Sequence, residues 1–255
     1  MRNALLFSFF LFVCLGSCRK KEDPKVIVDP NGKDTLGKVS FTFENMAGSM
    51  PLDTAKWYLT ENGDSLKVNE YKYYVTNFVL HSGSNEFKEW ESYYLVDHNK
   101  PASKTFIIDS IPHGTYDKIS FLIGVDEKRN TSGAQTGALD IENNMFWDWN
   151  SGYMMAKLDG VSPQALVSSQ MVSYHIVGFK MGESTIRKVT LNFPAPLEIK
   201  GTVIKNIHLK SDLLEWFKNP NVVKIAETAI IGNAGEAAMS MADNYADMFT
   251  IDHID

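Results

Sequence analysis

Apolar and polar residues alternate along much of this chain with the two-residue period of half-buried β-strands. Residues 38–44 show this alternation, and residues 71–80 are rich in the aromatic and β-branched residues that favour strands. Seven further runs of this kind are residues 93–97, 105–108, 118–124, 153–158, 172–179, 187–193 and 202–209. Turn formers separate the runs and no long helical pattern intervenes. The sequence therefore predicts a mainly β protein, an antiparallel β-sandwich with long inter-strand loops.

Two short helices are predicted near the C-terminus. Ser211 and Asp212 offer an N-cap and a first-turn acid ahead of the apolar residues 213–217. Across residues 235–248, apolar side chains recur at spacings of three and four, which places them on one helix face. These side chains are Ala238, Met241, Tyr245 and Met248.

The first eighteen residues have the layout of a bacterial export signal. Arg2 precedes an apolar run over residues 4–13, which is too short to span a bilayer as a helix. The run closes with Leu-Gly-Ser-Cys at 15–18, which resembles a lipobox. We therefore predict a lipoprotein signal peptide at 1–17 and an acylated Cys18 that holds the protein on outer-membrane lipid. The alternative is an ordinary secretory signal with an incidental cysteine.

A polar tether is predicted between the signal and the folded domain. Residues 18–37 are rich in charge and turn formers and contain too little apolar surface to form a core. The charged stretch after Cys18 resembles the surface-export signals of Bacteroidetes lipoproteins. The expected organisation is a tether at 18–37 and one β-sandwich domain at 38–255, on the periplasmic or the surface face of the envelope.

Composition excludes several classes of function. The chain has 25 Lys and Arg against 31 Asp and Glu, and this acidic balance argues against nucleic acid as a partner and against electrostatic adhesion to anionic lipid. Its two cysteines, Cys14 and Cys18, both lie in the predicted signal region, so the domain has no disulfide and no cysteine ligand. Phosphate-loop, dinucleotide and nucleophile-elbow motifs are lacking. We expect a protein that is not an enzyme.

The densest chemistry lies between residues 124 and 153, a segment that is long for a connection between strands. Trp147 and Trp149 alternate with polar residues, so in an extended strand both indoles would face one side and form the wall of a site. In the alternative, the tryptophans close one end of the sandwich and the polar residues cap loop backbone. The residues expected to support the loop are Asp126, Asp148, Asn150 and Tyr153.

Several motifs in this region and beyond it resemble the MbnP-like domain family, in its Bacteroidetes lipoprotein branch. The resemblance covers about residues 38–253 and is most specific in the tryptophan motif. The motifs are Gly-Val-Asp at 124–126, Gly-Ala-Leu-Asp at 137–140, Met145-x-Trp147-x-Trp149 with Gly152-Tyr153, Lys-Leu-Asp-Gly at 157–160, Tyr174-His175-x-x-Gly178-Phe179, and Met239-x-x-x-x-Asn244-x-x-x-Met248-Phe249.

The resemblance implies a β-sandwich that binds copper. In characterised relatives, histidines coordinate the copper together with a tryptophan that a dihaem peroxidase-like partner enzyme oxidises to kynurenine. Trp147 is the favoured candidate for this oxidation, ahead of Trp149. His175 stands at the family's histidine position. Methanotroph members have further histidines near the tryptophan, where this chain has Phe146, Asp148 and Asn150.

The histidines themselves form no local metal motif. The six are at least fifteen residues apart, so a copper site would be assembled by the fold. Imidazole and thioether groups are suitable copper ligands, and the predicted metal residues are His175, Trp147, Trp149, Met145 and His253. The alternative for His175 is a hydrogen-bonded core histidine.

The sequence therefore indicates two alternative functions. The first is a lipid-anchored envelope protein that binds copper for sequestration or delivery. The alternative is a surface module that binds glycan or protein on an aromatic platform of Trp147, Trp149 and Tyr153.

Overall fold

The two sheets of this protein are built from strands that the computed structural model describes over residues 35–255. The predicted signal peptide, the acylated Cys18 and most of the predicted tether lie outside these described residues. The strands are β1 (Leu36–Ala47), β2 (Met50–Pro51), β3 (Tyr58–Leu59), β4 (Ser65–Ser82), β5 (Asn85–Lys88), β6 (Tyr93–Asp97), β7 (Thr105–Pro112), β8 (Gly114–Ile123), β9 (Phe146–Asp148), β10 (Gly152–Val161), β11 (Met171–Val177), β12 (Arg187–Ile199), β13 (Lys205–Asp212), β14 (Ile230–Ile231) and β15 (Phe249–Ile254).

Two α-helices and five short 3₁₀-helices connect the described strands. The α-helices are α1 (Glu127–Asn130) and α2 (Glu236–Tyr245). The 3₁₀-helices are Pro101–Lys104, Gly137–Leu139, Ile141–Asn143, Ser168–Gln170 and Leu213–Phe217. None of the helices in the described part of the chain is long and apolar enough to cross a membrane.

The strands form a small sheet of five and a large sheet of ten. The small sheet has the order β15-β13-β1-β2, with β7 on the other edge of β1. The large sheet has the order β12-β8-β4-β10-β11-β14, with β3, β5 and β6 paired to β4 and β9 paired to β10. β4 is long enough to exchange partners along its length.

Aromatic rings from both sheets fill the space between them. Phe43 of β1 packs edge-to-face against Phe121 of β8 at 6.3 Å and against Phe249 of β15 at 5.7 Å. Phe78 of β4 stacks on Phe121 at 5.1 Å. Such aromatic pairs stabilise a core beyond the area they bury. The apolar positions of the strands therefore specify how the two sheets pack.

A second apolar cluster covers the outer face of the large sheet. Tyr74 of β4 and Val177 of β11 point away from the main core, yet both are fully buried. The segment between β8 and β10 folds over them and contributes Leu139 and Met145, and Tyr153 joins them from the start of β10. Both faces of the central strands are consequently buried. This long segment carries packed structure of its own, as its length predicted.

The helix near the C-terminus closes one end of the main core. Trp216, in the 3₁₀-helix, is fully buried and packs against Tyr71 of β4 and Tyr245 of α2, at 5.9 and 5.3 Å. Asn244 of α2 donates to the carbonyl of Trp216 at 2.8 Å and holds the two helices together. α2 ends at Tyr245, so it contains three of the four residues predicted on its apolar face, Ala238, Met241 and Tyr245, and Met248 follows it; all four are buried.

The predicted mainly β sandwich is confirmed, with differences in detail. Two pairs are parallel, β1 with β13 and β11 with β14, because their connections cross over within the domain. β1 begins at Leu36, so two residues assigned to the tether belong to a strand that pairs with β7. Residues 202–204, predicted as the start of this strand, precede β13: residue 202 ends a turn, and residues 203–204 have no regular structure. The segment Leu213–Phe217 is 3₁₀ rather than α, and the side chain of Asp212 accepts the backbone N–H of Leu214 as its N-cap.

The backbones of β10 and β4 lie close together at Gly160, so we expect a larger side chain there to destabilise the fold. A Cβ added there would meet the carbonyl oxygen of Lys67 at 2.4 Å, a contact that requires the strands to separate. We expect Gly160→Ala to lower the free energy of unfolding by about 1–3 kcal/mol. Urea unfolding of the full chain measures it. The matched control is Gly114→Ala, whose nearest contact would be an ordinary 3.9 Å, and an equal loss in both variants would contradict the steric explanation.

Candidate functional site

A row of polar side chains crosses the outer face of the large sheet beside the second apolar cluster. His175 of β11 lies opposite Lys157 of β10, Lys157 lies opposite Lys72 of β4, and Lys72 lies opposite Asp97 of β6. These residues alternate with core residues along each strand, so strand pairing alone brings them into one line. Lys157, Lys72 and Asp97 are buried.

A second row runs parallel to the first and supplies the opposite charges. Glu70, Asp159 and Ser173 lie opposite one another on β4, β10 and β11. Glu70 bonds both lysines, Lys72 and Lys157, and Lys72 also lies 3.5 Å from Asp97. Buried charges are tolerated when each has a partner, and here every lysine has at least one carboxylate.

Asp159 and Ser173 hold one nitrogen of His175. The Nε2 atom lies 2.9 Å from Asp159 Oδ1 and 3.1 Å from Ser173 Oγ. Burial raises the pKa of Asp159, but hydrogen bonds from His175 and Ser173 and the charge of Lys157 lower it to about 2. An ionised Asp159 accepts a hydrogen bond from Nε2–H, which assigns the tautomer from the hydrogen-bond network. Nδ1 of His175 then carries the lone pair, and it has no hydrogen-bond partner among residues 35–255.

Trp147 lies across this histidine. Its ring centroid is 5.3 Å from that of His175, in an edge-to-face arrangement, and the indole also contacts Gly232 just beyond β14. A Cβ added at Gly232 would lie 3.6 Å from the Trp147 ring, an ordinary van der Waals distance. Trp147 remains 40% exposed. The structure thus brings together two of the predicted site residues, Trp147 and His175.

Trp149 does not share this position. β9 ends at Asp148, whose Oδ1 accepts the backbone N–H groups of Asn150 and Ser151 at 2.8 and 2.7 Å. The chain turns there, so the extended backbone needed to align both indoles is interrupted. Trp149 packs instead on Phe146 at 5.0 Å and is 72% exposed. The expected common wall of two indoles is therefore wrong, because the Asp148 side chain forms a turn between them.

Met145 and Tyr153 are interior residues. Both are buried in the second apolar cluster, and the Tyr153 hydroxyl donates to the carbonyl of Leu139 at 2.6 Å. Met145 is fully buried, which places its thioether away from solvent in an apolar environment. Tyr153 cannot join a surface platform, because its ring is enclosed by the loop that covers the sheet.

Asp126 and Asn150 both stabilise the segment that connects β8 to β10. Asp126 caps α1 by accepting the backbone N–H of Arg129 and also accepts from Asn77 at 2.9 Å. Burial raises the Asp126 pKa, but its bonds from Tyr93, Asn77 and Arg129 give a net decrease. Asn150 accepts from Lys180 at 2.8 Å. These side chains position the hairpin that carries Trp147.

His253 lies in the small sheet and not with His175. It is opposite His208 of β13, and the two rings stack 4.1 Å apart. With Asp255 they form a group of three side chains that could hold a metal ion, the one such group within the described residues. Sequence reasoning missed His208 and Asp255, as it missed Asp159 and Ser173. All four are brought to their sites by the register between paired strands, and the sequence does not determine which strands pair.

A family model and a solved structure both match this chain. A family model described as MbnP matches residues 36–239. A solved structure, MbnP from Methylosinus trichosporium, matches with a TM-score of 0.51 and 16% sequence identity over 80% of this chain and 82% of that one. At that identity the likeness shows a shared fold. A search of curated proteins finds no significant match.

The lowered pKa of Asp159 predicts how acid affects the domain. Since the folded pKa is about 2 and the ordinary value is 3.8, the ionised carboxylate stabilises the fold above about pH 4, and this contribution disappears as the pH falls through 2. We expect Asp159→Asn to show a shallower loss of stability across this range in urea unfolding. The exposed Asp247→Asn serves as control and should keep the wild-type slope; identical slopes in wild type and Asp159→Asn would contradict the assignment.

Proposed function

Because the chain belongs to the MbnP family, we propose that it is a lipid-anchored envelope protein that binds copper for sequestration or delivery, with no turnover of its own. The family is associated with copper. In this proposal copper is a cargo, and the site is the exposed Trp147 lying on His175.

The observation that carries the proposal is the orientation of His175. Its Nε2 is held by the ionised Asp159, which leaves the Nδ1 lone pair without a protein partner in the described chain. Histidines that bind metals through one nitrogen commonly donate the other N–H to a carboxylate in this way. An imidazole that is oriented through Nε2, with Nδ1 open beside an accessible indole, suits a soft ion such as Cu(I).

Further donors at this position would come from Trp147 itself. Unmodified indole is a poor ligand, whereas kynurenine carries an amine and a ketone oxygen. We infer that a partner dihaem peroxidase-like enzyme supplies the oxidation, and the 40% exposure of Trp147 leaves the ring accessible to it. His98 and His81 are engaged elsewhere, with Asn45 and Ser120 respectively.

Copper titration of the full chain tests the proposal. With the chain purified in detergent from its native host, we expect His175→Ala to weaken Cu(I) binding by more than about tenfold, since even outer-shell partners of a metal change affinity by that much. Trp147→Phe should weaken it similarly and remove the mass gain that kynurenine formation gives. A competing Cu(I) chelator provides the readout.

Matched variants separate this effect from general damage. Trp90→Phe changes another exposed indole, and His81→Gln changes another hydrogen-bonded histidine; both should bind Cu(I) as wild type does. Every variant also carries His253→Gln, so that metal binding by His208, His253 and Asp255 does not contribute to the measured Cu(I) affinity. Copper affinity that is equal in His175→Ala and wild type would overturn the proposed site.

The envelope location makes a separate prediction at Cys18. Acylation of this cysteine would attach the protein to lipid without any membrane-spanning segment. Cys18→Ala should move the chain from the membrane fraction to the soluble fraction of the host. The neighbouring Cys14→Ala is the control and should stay with membranes. A Cys18→Ala chain that sediments with membranes as wild type does would contradict lipid anchoring through this residue.

The aromatic surface supports a second candidate, a module that binds glycan or protein. The Trp149 side chain is 72% exposed and packs on Phe146, so its ring could stack on a ligand. Such a site would use Trp149 without the buried Tyr153. Tryptophan fluorescence that is quenched by oligosaccharides and unaffected by copper would favour this candidate over the first.

A further inference from the structure

We propose that His208, His253 and Asp255 form a binding site for one divalent transition-metal ion, separate from the Trp147–His175 site. The three residues lie on the small sheet, on and beside β13 and β15, while His175 lies on the large sheet. Their ligand atoms all lie within 4.8 Å of one another. Two imidazoles and a carboxylate are a ligand set suited to Zn²⁺ and Cu²⁺.

The distances from each histidine to Asp255 are close to the spacing of ligand atoms around a coordinated ion. Nε2 of His208 lies 3.3 Å from Asp255 Oδ2, and Nε2 of His253 lies 3.6 Å from Asp255 Oδ1. Two ligands bound at about 2.1 Å in tetrahedral geometry are about 3.4 Å apart. Both histidines therefore present the same nitrogen to the same carboxylate, at a spacing that small side-chain rotations would complete.

A carboxylate lies beside the opposite nitrogen of each histidine. Nδ1 of His253 lies 2.8 Å from Asp252 Oδ2, and Nδ1 of His208 lies 3.5 Å from Glu44 Oε1. For His253 this is the outer-shell hydrogen bond that fixes the tautomer of a metal-binding histidine and raises its basicity, whereas the buried Nδ1 of His208 makes no hydrogen bond and has Glu44 as its nearest carboxylate. With neutral rings, three carboxylates surround the group, and Lys210 pairs with Asp252. The net negative charge favours a cation.

Asn206 supports the same assignment for His208. The Asn206 side-chain oxygen accepts from Thr42 Oγ1 at 3.1 Å, so its amide nitrogen is the atom that faces His208 Nε2 at 2.7 Å. Nε2 of His208 is therefore the acceptor nitrogen and carries the lone pair that a metal requires. A bound ion would replace this hydrogen bond.

The backbone holds the third ligand and leaves the site accessible. Asp255 exchanges two backbone hydrogen bonds with Asn206, at 3.3 and 3.0 Å, so its side chain is carried by a strand pairing. A register shift follows His208 in the β13–β15 pair, and such irregularities re-aim side chains. His253 is 48% exposed and also lines an open cleft of about 480 Å³. Three protein ligands would leave a coordination position to solvent.

Metal titration of the full chain without an affinity tag tests the site. Equilibrium dialysis with Zn²⁺ should give one bound ion in wild type, and Cu²⁺ should bind more tightly than Zn²⁺. His253→Gln should weaken Zn²⁺ binding by more than about tenfold, and the outer-shell Asp252→Asn by about 10–100-fold. Zn²⁺ should raise the thermal midpoint of wild type and leave that of His253→Gln unchanged.

Two variants make the outcome unambiguous. His81→Gln controls for loss of a histidine that also lies near a carboxylate, Glu86 at 3.2 Å, and should keep Zn²⁺ binding. His175→Ala should keep it too, which separates this site from the proposed copper cargo site. Absence of Zn²⁺ binding in wild type, or equal affinity in wild type and His253→Gln, would overturn the proposal. Loss in His175→Ala alone would assign the ion to the large sheet and overturn it as well.

Discussion

Burial of both faces of the large sheet is the constraint on which the candidate sites depend. The inner face of β4, β10 and β11 packs against the small sheet, and the outer face is covered by the segment between β8 and β10. Covering the outer face requires a long excursion, and the excursion returns to the sheet through β9, the strand that carries Trp147. The indole of Trp147 reaches His175 because β9, at the end of the covering segment, pairs with β10, and β10 pairs with β11, the strand that carries His175.

Where the cover ends, the sheet carries charges in place of apolar residues. A half-buried sheet face cannot leave a lysine or a carboxylate without a partner, since each unpaired charge is costly to desolvate. Lys72 and Lys157 therefore form one row whose charges are paired with Glu70 and Asp159 of the next row and with Asp97. The same pairing orients His175, because Asp159 must also satisfy its hydrogen bonds. The same ion pairs and hydrogen bonds therefore stabilise the sheet and orient the imidazole of His175.

The two histidine groups use related chemistry in different surroundings. His175 gives Nε2 to a carboxylate and keeps Nδ1 without a partner, while His208 and His253 place Nδ1 near carboxylates and direct Nε2 to Asp255. The first group lies against an aromatic ring and lacks a second protein ligand nearby in the described chain. The second has three ligands and an acidic rim. We therefore connect the first with a soft ion and a modified tryptophan, and the second with a divalent ion held by the protein alone.

The sequence by itself determined the elements that depend on local patterns. Alternation and β-favouring composition located nine strands of the sandwich, although β4 begins six residues earlier and β12 ends six residues later than predicted; spacing found the buried face of α2, and the motifs indicated the family. Only the tertiary structure decided which side chains meet. Asp159 reaches His175, and His208 reaches His253, through pairings between strands that the alternation cannot distinguish, because every half-buried strand has the same period. The turn at Asp148 is by contrast local: its side chain accepts two backbone N–H groups close in sequence, and these hydrogen bonds separate the two indoles that a strand pattern alone would have aligned.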